Sequence, residues 1–169
     1  DVVPLKHLCN FSGGGTPSKD NLSYWTGGDI PWVSPKDMKT FWVSETQDKL
    51  TEIAVKESST NFVEVGALLM VVRSGILQRT IPIAINTVKV TLNQDMKALS
   101  VSKKFSNLFI YHYLVAKNHV VLRSTLKAGN TVESIDTQVF SDYLIPSALL
   151  QKQIEIANII ETIASQIRK

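Results

Sequence analysis

The residues of this chain that can do chemistry gather in turns. From Gly13 to Met38 runs GGGTPSKDNLSYWTGGDIPWVSPKDM, where glycines, prolines, two tryptophans and two lysines stand close together, with Lys39 directly after. Such a mixture can cradle a phosphate, stack on a sugar or a base, or turn corners. It is not a Walker A loop, because no Gly-Lys-Ser or Gly-Lys-Thr follows at the required spacing. Nor is it a dinucleotide fingerprint, since GGG lacks a strand before it and a helix after it. The glycines read as suppliers of positive φ in turns, Pro17, Pro31 and Pro35 as stiffeners between them, and Trp25 and Trp32 as plugs holding an irregular loop.

Catalytic patterns fare poorly elsewhere. Asp37-Met38-Lys39 and Asp95-Met96-Lys97 each set an acid two residues before a lysine, like the end of a metal-dependent nuclease signature. The earlier acid would have to be Asp29, too near for the first copy, and nothing pairs with the second. There is no G-x-S-x-G, and no acidic-Pro-Pro-aromatic loop of a methyltransferase. His7, His112 and His119 stand in no catalytic context, His112 reading as a packing or surface histidine. The single Cys9 forms no internal disulfide, and no CxxC or HExxH spacing offers a metal site. No cofactor is expected on this chain.

The remaining polar residues suit a binder. Lys19, Lys36, Lys39, Arg73, Ser74, Arg79, Thr80, Asn93, Gln94, Lys97, Lys127, Asn130 and Thr131 all fall at turns or element ends. From there side chains can reach a DNA duplex. Lysine and arginine meet phosphates, while arginine, asparagine and glutamine have the forked geometry that reads base edges. Singly, each is an ordinary surface residue; the collection carries the reading.

These turns need elements to hold them. FWVSET (41–46) alternates like a short strand, Thr51 is placed to cap a helix over EIAVKESS, and ALLMVV (67–72) reads as a buried strand ended by Arg73-Ser74-Gly75. NFVEVG, IPIAIN, VKVTL and MKALSVS add β character, Pro82 marking an edge or a bulge. Ser106 is expected to cap NLFIYHYLVAKN, with Leu108, Tyr111, Leu114 and Val115 at helical spacing. Strands precede helices, the order of an α+β fold.

The end of the chain has its own logic. Pro146 closes the strand-like DYLI, Ser147 is the expected N-cap, and ALLQKQIEIANIIETIASQIRK contains neither Gly nor Pro. Leu149, Ile156, Ile160, Ile163 and Ile167 mark a heptad seam in which Gln153 takes one apolar place. Leu150, Ile154 and Ala157 form a second apolar face near the start. The helix is therefore expected to pack on its own domain at one end and to meet another helix at the other.

Composition agrees with one domain: 169 residues, 44% hydrophobic, net charge +3 and a pI near 9.0. The charge tolerates a polyanion without demanding one. No apolar run approaches a membrane span and no secretory signal opens the chain, so no membrane partner and a cytoplasmic location are expected.

Several stretches together resemble the target-recognition domain of type I restriction-modification specificity subunits. They are the 13–38 stretch, TEIAVKESS with VEVGALLMVVRSG, NQDMKAL, and GNTVESIDTQVFSDYLIPSALLQKQIEIANII, and they cover almost the whole chain. The resemblance implies a compact α+β domain over 1–146, with a curved, mainly antiparallel β-sheet region, flanking helices and a DNA-facing groove. It also implies that 147–169 begins a coiled-coil-type dimerisation or spacer helix. By the same resemblance the chain is half of a non-catalytic specificity subunit, a fragment or a half-length form. It would read one half of a bipartite target in double-stranded DNA. Its partners would be modification (methyltransferase) subunits, a motor-nuclease restriction subunit, and a second recognition domain or a homodimer through the C-terminal helix. S-adenosylmethionine, ATP and Mg would sit on partner subunits only. No contact residue is carried over from a relative.

Two other readings make different predictions. A protein-interaction or glycan-binding module would bind through the terminal helix or the Gly/Trp loop without steep salt dependence. An autonomous nuclease would need metal and either Lys39 or Lys97.

Overall fold

The computed structural model describes residues 1–128 and 131–167, so Asn130 lies outside the described residues. The chain is built in three layers. At the centre is a five-stranded sheet in the order β2 (Cys9–Gly13), β10 (Met96–Val101), β7 (Leu68–Val71), β8 (Ile83–Asn86) and β4 (Trp42–Val43). Its pairs are antiparallel except β4 with β8. On one face lies a four-stranded sheet, β5 (Asp48–Leu50), β3 (Ile30–Val33), β9 (Val90–Leu92) and β6 (Phe62–Val63), with β3 and β9 parallel. On the other lie α2 (Asn107–Ala116), α3 (Asn118–Thr125), α4 (Thr137–Ser141) and α5 (Leu150–Ile167). A two-stranded ladder of β1 (Val2–Pro4) and β11 (Leu144–Pro146) ties the N-terminus to the residues before α5.

This layering explains why ALLMVV is apolar throughout. Successive side chains of a strand face opposite ways. Leu68 and Met70 pack with Phe109, Ile110 and Leu114 of α2 on the helical side, while Leu69 and Val71 pack with Val33, Val90 and Leu92 of the second sheet. A strand covered on both faces reads as a continuous apolar run rather than an alternation.

Capping follows the sequence at two helices. Thr51 accepts a hydrogen bond from the Ala54 N–H at the start of α1 (Glu52–Glu57), and Ser106 accepts one from the Phe109 N–H at the start of α2. Three expectations are corrected. Ser147 is not at the N-cap position of α5, because the helix begins at Leu150; Ser147 still belongs to the extended segment, its N–H donating to Asp1 O at 2.9 Å beside the β1–β11 ladder. Pro82 marks neither an edge nor a bulge. It stands just before β8, an inner strand, and its carbonyl still accepts from the Val71 N–H at 3.2 Å. In α2 the fully covered residues are Phe109, Ile110 and Leu114, whereas Val115 is 43% exposed.

The terminal helix divides, but not along the expected faces. Leu150 and Ile154, expected to pack on the domain, are 36% and 38% exposed. Of that face only Ala157 is covered, buried against α2 together with Gln153 of the heptad series, and Ile156 of that series packs at the margin of the core. Farther along, Ile163 and Ile167 are exposed, with Ile160 partly so; Leu149, at the helix start, is the most exposed of the heptad positions. Among the described residues no helix is long and apolar enough to cross a membrane.

Candidate nucleic-acid interface

Strand direction brings the polar turns to one rim. The C-terminal ends of β2, β7, β3 and β9 and the N-terminal ends of β10, β8, β5 and β6 all meet there. Backbone hydrogen bonds link the turns to each other. Gly15 N–H donates to Leu92 O at 2.9 Å, Asn93 N–H to Val33 O at 2.9 Å, and Val72 and Arg73 N–H both to Asp95 O. Ser74 N–H donates to Glu133 O at 3.1 Å, and Lys127 N–H to Ser134 O at 2.9 Å. Residues far apart in sequence thus form one continuous edge.

The 13–38 stretch is the scaffold of this edge. Trp32 is buried, donates from Nε1 to Gly15 O at 3.1 Å, and meets Trp25 edge-on at 5.2 Å between ring centroids. With Leu50 and Ala54 it forms a small core of its own. The role expected for the glycines is corrected in part. Only Gly27 of this stretch has positive φ, whereas Gly14 and Gly28 are needed because backbone passes against them: a Cβ on Gly14 would fall onto the Leu92 and Asn93 carbonyl oxygens.

Asp37 is committed to the same scaffold. Its Oδ2 accepts from Ser34 N–H and Oγ at 2.9 and 2.8 Å, and its Oδ1 from Gln47 N–H at 2.9 Å. A carboxylate so engaged is a loop clamp, not a free metal ligand. No group of three or more potential metal ligands occurs among the described residues.

The candidate contact residues differ in what their side chains are free to do. Lys39, Arg73, Arg79 and Lys127 are exposed, and within the described residues none forms an ion pair. Lys36 is exposed but held at 3.1 Å by Asp48, and Lys19 reaches over the Trp25 ring at 5.8 Å. Lys97 is half-buried opposite Gly13, beside Phe11, Thr137 and Gln138. Gln94 is exposed and accepts from Thr16 Oγ1. Thr131 is exposed, and Ser74 uses its Oγ to cap the Gly75–Gln78 turn.

Two residues point inward instead. Asn93 is 7% exposed and its Oδ1 accepts from the Asp95 N–H, which closes the β9–β10 turn. Thr80 donates to Asn118 Oδ1 at 2.9 Å. Asn118 also accepts from Ile81 N–H and donates to Ile81 O, so it clamps the turn after Arg79 from across the fold. No local pattern in the sequence points to Asn118 in this role. His112 lies 2.8 Å from Glu161 in α5 without an aligned hydrogen bond, packed near Phe41 and Tyr111.

Fold and rim together define a class: an α+β recognition domain with a cationic loop edge and a protruding helix. The chain belongs to the family described as the type I restriction modification DNA specificity domain, which matches residues 1–169. It is 40% identical over 157 residues to the type I restriction enzyme EcoR124I/EcoR124II specificity subunit of Escherichia coli, covering 93% of this chain and 39% of that protein. With the MjaIX specificity subunit of Methanocaldococcus jannaschii it shares 28% identity over 163 residues, 95% of this chain and 37% of the relative. The chain therefore spans about two fifths of the curated relatives it matches.

Solved structures agree in fold. A chain of a type I R-M system superposes with a TM-score of 0.78 at 15% identity, over 99% of this chain and 39% of that one. The HsdS subunit from Thermoanaerobacter tengcongensis gives 0.75 at 15% identity, over 99% and 38%. The chain is a specificity domain and not a catalytic one.

Proposed function

We propose that residues 1–146 read one half of a bipartite sequence in double-stranded DNA, and that the segment after them, helical from Leu150, begins the element that sets the position of a second recognition domain. The observation that carries this reading is the shared rim, where turns from both sheets present Lys39, Arg73, Arg79 and Lys127 with no ion-pair partner among the described residues. Phosphate contacts from these cations supply salt-dependent affinity and fix the register on the duplex; a few base-edge contacts supply discrimination.

In this reading the exposed isoleucines of α5 meet a second helix, from another recognition domain or a second copy of this chain. The complete assembly carries modification subunits and a restriction subunit, which hold S-adenosylmethionine, ATP and Mg. This chain contributes the address rather than the reaction, in a cytoplasmic complex.

Salt dependence tests the DNA-binding step. Each phosphate contact contributes a slope of about −0.9 in log K against log salt. Binding of this chain to a fluorescent duplex pool is expected to show a slope steeper than about −3. A slope near zero, or no binding by the folded chain, contradicts the reading and favours a protein or glycan site.

A further inference from the structure

We infer that Arg73 is the base-reading cation of the rim and takes a guanine edge in the major groove, with the exposed Val132 beside it available to a thymine methyl. This inference rests on the DNA-binding reading above. Arg73, Thr131, Val132 and Ser134 line one open concavity of about 380 Å³, where the turn after β7 meets the segment before α4. Val132 is 40% exposed at its wall.

The backbone around Arg73 is held from two sides. Val72 N–H and Arg73 N–H donate to Asp95 O at 2.8 and 3.3 Å, Ile135 N–H donates to Val72 O at 2.8 Å, and Ser74 N–H donates to Glu133 O at 3.1 Å. Arg73 also bridges Ser134. The residue is therefore carried on a corner fixed to both the central sheet and the helical layer, while it remains exposed and forms no ion pair among the described residues. The nearby Glu133 carboxylate instead accepts from Gln78 Nε2 at 3.0 Å.

Base reading needs these properties together. A guanidinium offers two parallel donors that match guanine O6 and N7, and a fixed backbone limits the entropy lost when it docks. Lys39 and Lys127 present single-point charges, which suit phosphates, and Lys36 is already engaged by Asp48. A small apolar surface next to the fork suits the one methyl group displayed in the groove.

The test compares sequences selected from a randomised duplex library by the wild-type chain and by Arg73→Lys, Arg73→Ala and Lys39→Ala, with folding checked by circular dichroism. Arg73→Lys is expected to keep the salt slope while losing roughly tenfold or more of the preference at one G·C position. Lys39→Ala is expected to weaken binding to all sequences and reduce the slope by about one, leaving the motif intact. A wild-type motif that both Arg73 variants leave unchanged overturns this inference alone. Salt-dependent binding with no motif overturns base reading by Arg73, and absence of DNA binding overturns the underlying reading as well.

Discussion

The side-chain oxygen of Gln153 accepts the Ser106 N–H at 3.0 Å, joining the first turn of the terminal helix to the N-cap of α2. Gln153 is fully buried, and its amide donates to Ala148 O at 2.6 Å, so both ends of the carboxamide are used. In the heptad pattern this position interrupts the apolar seam. Structurally it is the residue that seats the helix on its domain.

Replacing Gln153 with Leu therefore improves the heptad and harms the fold. The part-buried Ser106 N–H and Ala148 carbonyl lose their partners, at a cost of about 0.5–1.5 kcal/mol each. Thermal denaturation of Gln153→Leu is expected to show a lower Tm than wild type, despite the added apolar side chain. Equal or higher stability would mean that the hydrogen bonds are not what holds the helix start.

Gly14 gives a second prediction, with an internal control. A Cβ there meets the backbone carbonyls of Leu92 and Asn93, which cannot move without opening the β9–β10 turn, whereas one on Gly75 meets nothing within 4 Å. Gly14→Ala is expected to cost about 1–3 kcal/mol in denaturant unfolding, as overpacking does, and Gly75→Ala to stay within about 0.5 kcal/mol.

Cys9 is a chemical reporter of the core. Burial pushes its thiol from 9.0 up to about 12, and its Sγ lies 3.2 Å from the Leu5 carbonyl oxygen. The folded chain thus keeps a proton that the unfolded chain releases above about pH 9. The stability linked to this proton is present below pH 9 and is lost as pH rises toward 12. At pH 8 the folded protein is expected to resist a thiol reagent and to react fully once unfolded; rapid reaction of the native chain would contradict the buried placement.

Asp48 restrains one of the rim cations. Removing its charge with Asp48→Asn frees Lys36 from the 3.1 Å ion pair and removes a negative charge from the rim. Tighter DNA binding and a steeper salt slope are expected from a titration of this variant. Unchanged binding would place Lys36 away from the duplex.

Much of the framework was legible in the sequence because its signals are local. Thr51 and Ser106 cap their helices through bonds made within three residues, and the unbroken apolar run at 67–72 matches a strand covered on both faces. The buried face of α2 was less legible. Nearly every position from Leu108 to Ala116 is apolar or aromatic, so periodicity offers little contrast and the neighbours decide which residues are covered.

The rest depends on partners distant in sequence. Ser147 has the chemistry of a cap, but pairing of this segment with the N-terminal strand delays the helix to Leu150, and the Gly14 contact is with a strand nearly eighty residues away. Residue type and turn position mark the candidate rim residues but do not tell an outward side chain from one turned inward. Asn93 and Thr80 illustrate the difference: both occupy turns, and both spend their polar atoms inside the fold.

Whether this rim reads sequence is tested by selection from a randomised duplex library with two copies of the chain joined through their terminal helices, at near-physiological salt. Enrichment of one short motif, repeated at a fixed spacing, is the expected result. Failure to enrich any motif, with folding and pairing of the two copies verified in the same sample, would contradict sequence reading by the rim.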